Sequence, residues 1–532
     1  MLRAQRLLVI GAMLVGLALR LWRYPSFFFD SDTAVLPLFV RGILCGDHSF
    51  FDSVVLLSKN MLSGVQPLMA AGFALGASGL GLPASELVWI LPALILGTVL
   101  IGLAYLLLRE LGFPGLGVWA AWLLAVSPPH VMFSRHNGAP WMFEAVVDLL
   151  TVLFALRLAR DGRSANRAGW AICFAIAAWV GNLALALWGI LPALFALRLW
   201  FMAPRPRLTT YLRQRFLSVW TLLPLISWSW IFYWAVIRVG HLGHAFHDKT
   251  QRWGWYLDSA WSATTADFGP AAAVALAALA LLALVRIRSR PLPTLVLAAI
   301  FGAYYVPFVL FIPPGTTLVR TYITMGLTGM LLLAALGLAG GGRVLAVLRW
   351  SVLSGLCVLL LLGTLNSVQE AVRLPWVGTL RHQGSAPYPH GAQAAAAWIW
   401  QRGKPGQTVF TDAYDNTLLK PWLVQYYFQM PTLGMFGALQ PEVPYERFKD
   451  DAERIDYLLV LPENQHLVPR TFGERFVPRL QVKDGDRTLV FVYARQRGTL
   501  EVMDAAAGRL QYARRYTTLC GGLSGGRYTP FR

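Results

Sequence analysis

Acidic residues are scarce in this chain: 27 Asp and Glu stand against 46 Lys and Arg, and charge of either sign occupies only 14% of its 532 positions. With 56% hydrophobic residues and a mean hydropathy of +0.52, that shortage argues against a soluble globular chain and for a polytopic membrane protein. Cysteine is rarer still. Cys45, Cys173, Cys357 and Cys520 show no paired spacing, so neither a disulfide framework nor a cysteine metal site is indicated. Repeats of solenoid period are missing, and the apolar residues come in long blocks rather than amphipathic stripes. The net charge of +19 is no sign of nucleic acid, because much of the basic excess lies in short loops between those blocks, where it sets topology and meets anionic lipid.

What is present is a succession of spans. Arg3 and Arg6 precede an apolar stretch from Leu7, and Arg20, Leu21, Trp22 and Arg23 come after it where a cleavage site would need small residues. It is expected to be an uncleaved first span. Further blocks lie at roughly 87–108, 115–132, 141–158, 169–183, 184–202, 217–238, 270–286, 293–312, 318–339 and 350–366. Each is long enough for about 30 Å of hydrocarbon, which makes about eleven transmembrane helices.

Arg109, the runs Arg157–Arg167, Arg205–Arg215 and Arg286–Arg290, and then Arg343 and Arg349 fall in alternate loops, which hold about twice the basic residues of the others. The N-terminus is therefore expected in the cytoplasm, and the loops 24–86 and 239–269 and everything after 370 outside. From about 370 the composition changes: "HGAQAAAAWIWQRG" predicts a helix, and "QTVFTDA", "IDYLLVLPEN" and "RTLVFVYAR" predict strands, with turns at "KPGQ" and "KDGD". The expected division is a membrane domain at 1–369, an extracytoplasmic α/β domain at 370–498 and a tail at 499–532.

The stretch "LRLWRYPSFFFDSDTAV", residues 19–35, places Asp30 and Asp32 just beyond the first span. It resembles the start of the first outer loop in the GT-C glycosyltransferases, which use lipid-linked sugars; protein O-mannosyltransferases, aminoarabinose transferases and oligosaccharyltransferases are of this kind. "GVQPLMAAGFALGASG" is similar to that loop's His-Pro-Pro segment, with Gln66 where many relatives have His. "LLAVSPPHVMFSRHNGAPWMFEAVVDLL" is similar to later spans, and "TTLVRTYITMGLTGM", with Arg320 and Tyr322, resembles the family's late Arg-Tyr segment. Thr33 stands where many relatives have an acid.

The resemblance implies an inverting hexosyl- or pentosyltransferase that moves a sugar from polyprenyl phosphate to a glycan, lipid or protein acceptor. A hydroxyl acceptor is a poor nucleophile, and a carboxylate in hydrogen-bond reach takes its proton as the bond to the sugar forms. Asp30 is expected in that role, as it comes directly after the aromatics Phe27, Phe28 and Phe29, which would dry its surroundings and strengthen it as a base. Asp32 stays open between two readings. In an extended stretch the two acids share a face and can bind one divalent cation, Mg or Mn, or the substrate; in a helix Asp32 would cap the next segment of the chain.

The leaving phosphate needs cations, and arginine suits it. Arg320 and Arg135 are the expected ligands, with His136 beside Arg135. Glu144 and, one turn deeper, Asp148 are acids within a span, expensive there and often functional. In "RVGHLGHAFHDKTQRW", His241, His244 and His247 drift around a helix that Gly240 and Gly243 weaken, so a metal site is disfavoured; His244 and His247 are candidates for acceptor or sugar contacts and Lys249 for phosphate, against the reading of a plain polar loop.

The expected location is a bacterial plasma membrane. Two rivals remain. One is a flippase or transporter of an anionic lipid-linked glycan, in which the same charges line a path; the other is a non-catalytic subunit that binds lipid-linked sugar.

Overall fold

The computed structural model describes residues 2–22, 86–135, 140–180, 206–227, 268–311, 318–339, 343–373, 390–404, 406–412, 432–434 and 442–515, with isolated positions between them. Its N-terminal part is a bundle of helices: α1 (Leu2–Leu21), α2 (Glu86–Glu110), α3 (Pro114–Ala125), α4 (Pro128–Phe133), α5 (Pro140–Asp161), α6 (Ser164–Val180), α7 (Leu208–Arg215), α8 (Pro270–Val285), α9 (Pro291–Phe311), α10 (Leu318–Gly337) and α11 (Arg343–Arg373). Most expected spans meet one of these helices. Block 184–202 lies largely, and the second half of block 217–238 wholly, outside the described residues, so the count of eleven is not established. Among the described residues, Arg3–Leu21, Leu91–Glu110 and Val347–Gln369 are long and apolar enough to cross a membrane by themselves.

The block at 115–132 is not one helix. Pro128 and Pro129 lack amide hydrogens, and a proline biases the residue before it toward extended backbone; Ser127 accordingly sits at φ −72° and ψ 121°, and α4 begins afresh at Pro128. The break exposes backbone groups that lipid would leave unsatisfied. Thr364 Oγ1 of α11 answers one of them, donating to the Val126 carbonyl at 2.7 Å.

α11 has 31 residues, about 46 Å at 1.5 Å per residue, and so outruns a hydrocarbon layer of about 30 Å. Large apolar side chains on α1 (Leu7, Ile10, Leu14) and α11 (Val358, Leu359, Leu362) face outward, as lipid contact requires. At the arginine-rich end, Glu110 receives Arg157 Nε at 3.1 Å and also Arg160. Arg286 and Arg290 donate to the Gly337 and Ala339 carbonyls at the end of α10, where cations offset the helix dipole.

The C-terminal part is a mixed six-stranded sheet of order β2-β1-β3-β5-β4-β6, with β1 (Val409–Thr411), β2 (Thr432–Leu433), β3 (Tyr457–Val460), β4 (Val477–Asp484), β5 (Arg487–Ala494) and β6 (Glu501–Asp504). β1 pairs in parallel with β2 and β3, and β5 lies antiparallel between β3 and β4. β5 is buried at Leu489–Ala494 without alternation, the mark of a strand covered on both faces. The expected helix is α12 (His390–Arg402), and the three expected strands are β1, β3 and β5. The β4–β5 hairpin turns at Gly485, whose φ of 59° suits a two-residue turn.

The sheet does not stop at residue 498. β6 pairs in parallel with β4, and α15 (Ala505–Arg515) packs on α12. Between α12 and α15 lie the short helices α13 (Glu442–Phe448) and α14 (Leu467–Phe472). They supply Tyr445 and Phe472 to an aromatic cluster with Phe410 of β1, at centroid distances of 5.3 and 5.7 Å.

Candidate active site

Inside the bundle, away from the arginine-rich turns, a chain of buried polar groups joins α1, α4 and α10. It starts from the break before α4. His130, wholly buried on α4, has Nδ1 2.8 Å from Ser127 Oγ and Nε2 2.7 Å from Thr328 Oγ1 of α10. One turn on, Ser134 donates to the His130 carbonyl and accepts from Arg20 Nε of α1 at 2.7 Å. Arg20 also donates from Nη1 to the Gly16 carbonyl at 2.8 Å and is 1% exposed.

Small residues make room for that guanidinium. A Cβ on Gly97 of α2 would stand 2.5 Å from Ser134 Oγ and 3.0 Å from Arg20 Nε, and one on Gly16 would stand 2.5 Å from Ile101 Cδ1. A side chain at 97 would press directly on the pair.

Arg135 comes directly after Ser134 and is fully buried. Asp148 is buried on α5, at 2% exposure, with Thr151 near it in the chain. Glu144 lies on α5 and Arg320 and Tyr322 on α10, but their side chains are outside the described residues. Asp30, Asp32, Gln66, His136, His244, His247 and Lys249 lie outside the described residues altogether. Arg320 and Thr328 are about two helical turns apart on α10, so the structure links the element bearing Arg135 to the helix bearing Arg320.

Among the described residues no group of three or more His, Cys, Asp or Glu is placed to hold a metal. The expected donors Asp30 and Asp32 are oxygen ligands of the kind Mg and Mn prefer.

Sequence reasoning missed the roles of Arg20, His130, Ser134 and Thr328. The signal was present in part: an arginine inside an apolar run and a Ser-Pro-Pro-His string are both unusual in a span, but neither names its partner.

A second buried acid lies in the C-terminal sheet. Asp412, fully buried, comes directly after β1, and its Oδ2 accepts from Leu461 N at 3.1 Å, Asn464 Nδ2 at 2.9 Å and the Tyr445 hydroxyl at 3.3 Å. Oδ1 has no hydrogen-bond partner among the described residues. Burial pushes this carboxyl up to about 7, against the pull of its three donors, while burial and the neighbouring Asp412 push the Tyr445 hydroxyl upward. The group staples the end of β1 to the turn after β3.

No family model and no curated protein match the chain. Solved structures do. ArnT from Cupriavidus metallidurans, an aminoarabinose transferase, superposes in its apo state with a TM-score of 0.57 at 13% identity, over 92% of this chain and 97% of that one. The same enzyme bound to undecaprenyl phosphate gives 0.56 over the same shares. The Archaeoglobus fulgidus oligosaccharyltransferase AglB, in complex with an inhibitory peptide and a dolichol-phosphate, gives 0.52 at 10% identity over 93% of this chain and 74% of that one. At such identities the likeness speaks for the fold, and it spans bundle and sheet together: the chain has the fold of the GT-C glycosyltransferases.

Proposed function

We propose that this protein is an inverting glycosyltransferase that moves a sugar from a polyprenyl-phosphate carrier to an acceptor on the outer face of a bacterial plasma membrane. The observation that carries the reading is the correspondence, over 92% of the chain, with ArnT holding undecaprenyl phosphate. Arg135, on a segment bonded to the helix of Arg320, brings the residue type that a lipid-phosphate site uses.

In this reading Asp30 is the base. It takes the proton of the acceptor hydroxyl while the acceptor oxygen bonds to the anomeric carbon and the bond from that carbon to the carrier phosphate breaks. Attack from the face opposite the phosphate inverts the centre. Arg135 and Arg320 hold the departing phosphate, and Glu144 and Tyr322 stand near the sugar. His136, Gln66, His244, His247 and Lys249 contribute contacts to donor or acceptor. If a Mg or Mn ion takes part, Asp30 and Asp32 would hold it, and it would supply charge to the leaving phosphate. The outer sheet domain would orient the acceptor.

The test uses purified protein with a panel of radiolabelled polyprenyl-phosphate sugars, tracking free polyprenyl phosphate for wild type and Asp30→Asn. Release by wild type that falls at least about a hundredfold in the variant supports base catalysis. Lipid binding without release from any donor would instead favour the flippase or the non-catalytic subunit.

A further inference from the structure

We infer that His130 is a positioning residue for the lipid-phosphate site, holding the segment that ends in Arg135 in fixed register with the helix that bears Arg320. The inference rests on the transferase reading, in which both arginines meet the phosphate.

Each ring nitrogen of His130 faces a hydroxyl, Ser127 Oγ at 2.8 Å and Thr328 Oγ1 at 2.7 Å. A hydroxyl both donates and accepts, so the ring is satisfied in either tautomer. The two bonds do different work. Ser127 belongs to the same segment and sets the turn into Pro128, whereas Thr328 lies 198 residues away on α10. The second bond therefore joins separate elements. Apolar faces of helices slide and rotate past one another at small cost when lipid is the alternative neighbour, so a hydrogen bond between helices adds a register that packing alone lacks.

The far end of the segment is held too. Ser134, immediately before Arg135, accepts from Arg20, 114 residues away and close to the start of the loop that carries Asp30. Residues 127–134 are thus pinned to α10 midway, at His130, and to α1 at Ser134, and Arg135 comes directly after the second pin. Two arginines that grip one phosphate need their separation held to a fraction of an ångström, and a small misplacement lowers affinity and rate together.

The experiment separates the two bonds in the purified full-length chain, with undecaprenyl phosphate as the probe. Glutamine puts its amide near the Nε2 position and asparagine near Nδ1, so His130→Gln keeps the link to Thr328 and His130→Asn loses it. Thr328→Val removes the hydroxyl at constant shape, and Thr328→Ser restores it.

Binding is expected to weaken about threefold in His130→Asn and in Thr328→Val, the weight of one hydrogen bond between helices in a membrane protein. It is expected to stay near wild type in His130→Gln and Thr328→Ser. Thermal unfolding of each variant distinguishes positioning from loss of fold. Affinity that is unchanged in all four variants, or that falls as far in Tyr211→Phe, which removes a buried hydrogen bond to the Ala159 carbonyl beside the arginine-rich turns, overturns the inference while leaving the lipid-phosphate reading intact. Should Asn and Gln variants both fail to fold, the Val and Ser pair at 328 decides by itself. Wild-type protein that does not bind undecaprenyl phosphate overturns the site reading and this inference with it.

Discussion

The bundle and the sheet bury their polar groups in opposite ways. In the bundle, Arg20 reaches Ser134 and His130 reaches Thr328 across 114 and 198 residues, helix to helix. In the sheet, Asp412 takes its donors from one backbone amide, one Asn and one Tyr around the end of its own strand, with an aromatic cluster alongside. The difference stems from the solvent. Water drives Phe410, Tyr445 and Phe472 together, so apolar packing specifies the sheet domain and its buried acid serves as a local staple. Lipid gives no such drive between helices, so close approach at glycines and hydrogen bonds between helices set which faces meet.

The largest test of this contrast is Phe410→Ala, which empties the middle of the aromatic cluster. It is expected to lower the stability of the sheet domain by about 3–5 kcal/mol, read by hydrogen exchange of β1 and β3 amides in the full-length protein. A loss below about 1 kcal/mol would mean that the sheet, like the bundle, is not held mainly by apolar packing.

Next comes the pH dependence of the Asp412 staple. Its folded-state value is raised from 3.8 to about 7, so between those values the folded protein keeps a proton that the unfolded chain has released. The contribution of this group is therefore greatest on the acid side and falls as pH climbs from about 4 to 7, by up to about 4 kcal/mol at 1.36 kcal/mol per unit. Asp412→Asn removes the titration, so the variant should gain on wild type by that amount between pH 4 and 7 in the same exchange measurement. Parallel curves for the two proteins would show that the carboxyl does not titrate in this window.

In the bundle the larger effect should come from space. Gly97→Ala puts a methyl against Ser134 and Arg20, and overpacking of this kind costs about 1–3 kcal/mol. Its thermal unfolding in detergent should fall by more than that of Gly115→Ala, where a Cβ meets nothing within 4 Å. Equal shifts would remove the case for a tight guanidinium slot.

The smallest effect is that of Thr328→Val on stability, about 0.6 kcal/mol for one hydrogen bond between helices in a membrane protein. A loss of several kcal/mol in denaturant titration would make His130 a pillar of the fold rather than a device of register.

Much of the fold was legible in residues. The apolar runs that became α2, α5, α8, α9 and α10 are plain because their length alone marks a helix that can cross or nearly cross lipid. The single block at 115–132 was misleading: two prolines divide it at Val126 and Ser127, and a run of apolar residues hides that break from any window of mean hydropathy. β6 and α15 were unreadable for another reason. β6 is an edge strand whose half-buried face carries Glu501 and Met503 and whose exposed face carries Val502 and Asp504, so polarity does not alternate with burial, and the Gly-rich stretch after it reads as tail. Of the expected site, Arg135 is buried where the bundle's polar groups collect, while the first-loop acids Asp30 and Asp32 lie outside the described residues.

By itself the sequence determined a succession of long apolar helices, which of their ends carry the arginines and that a mixed α/β unit comes after them, because apolar length, charge and strand pattern are local properties. Only the tertiary structure decided that His130 faces Thr328, that Ser134 faces Arg20 and that Gly97 leaves the space for it. The physical reason is that one apolar helix face looks like another in sequence, so the choice of partner is carried by a few polar atoms whose meeting depends on where distant helices finally pack.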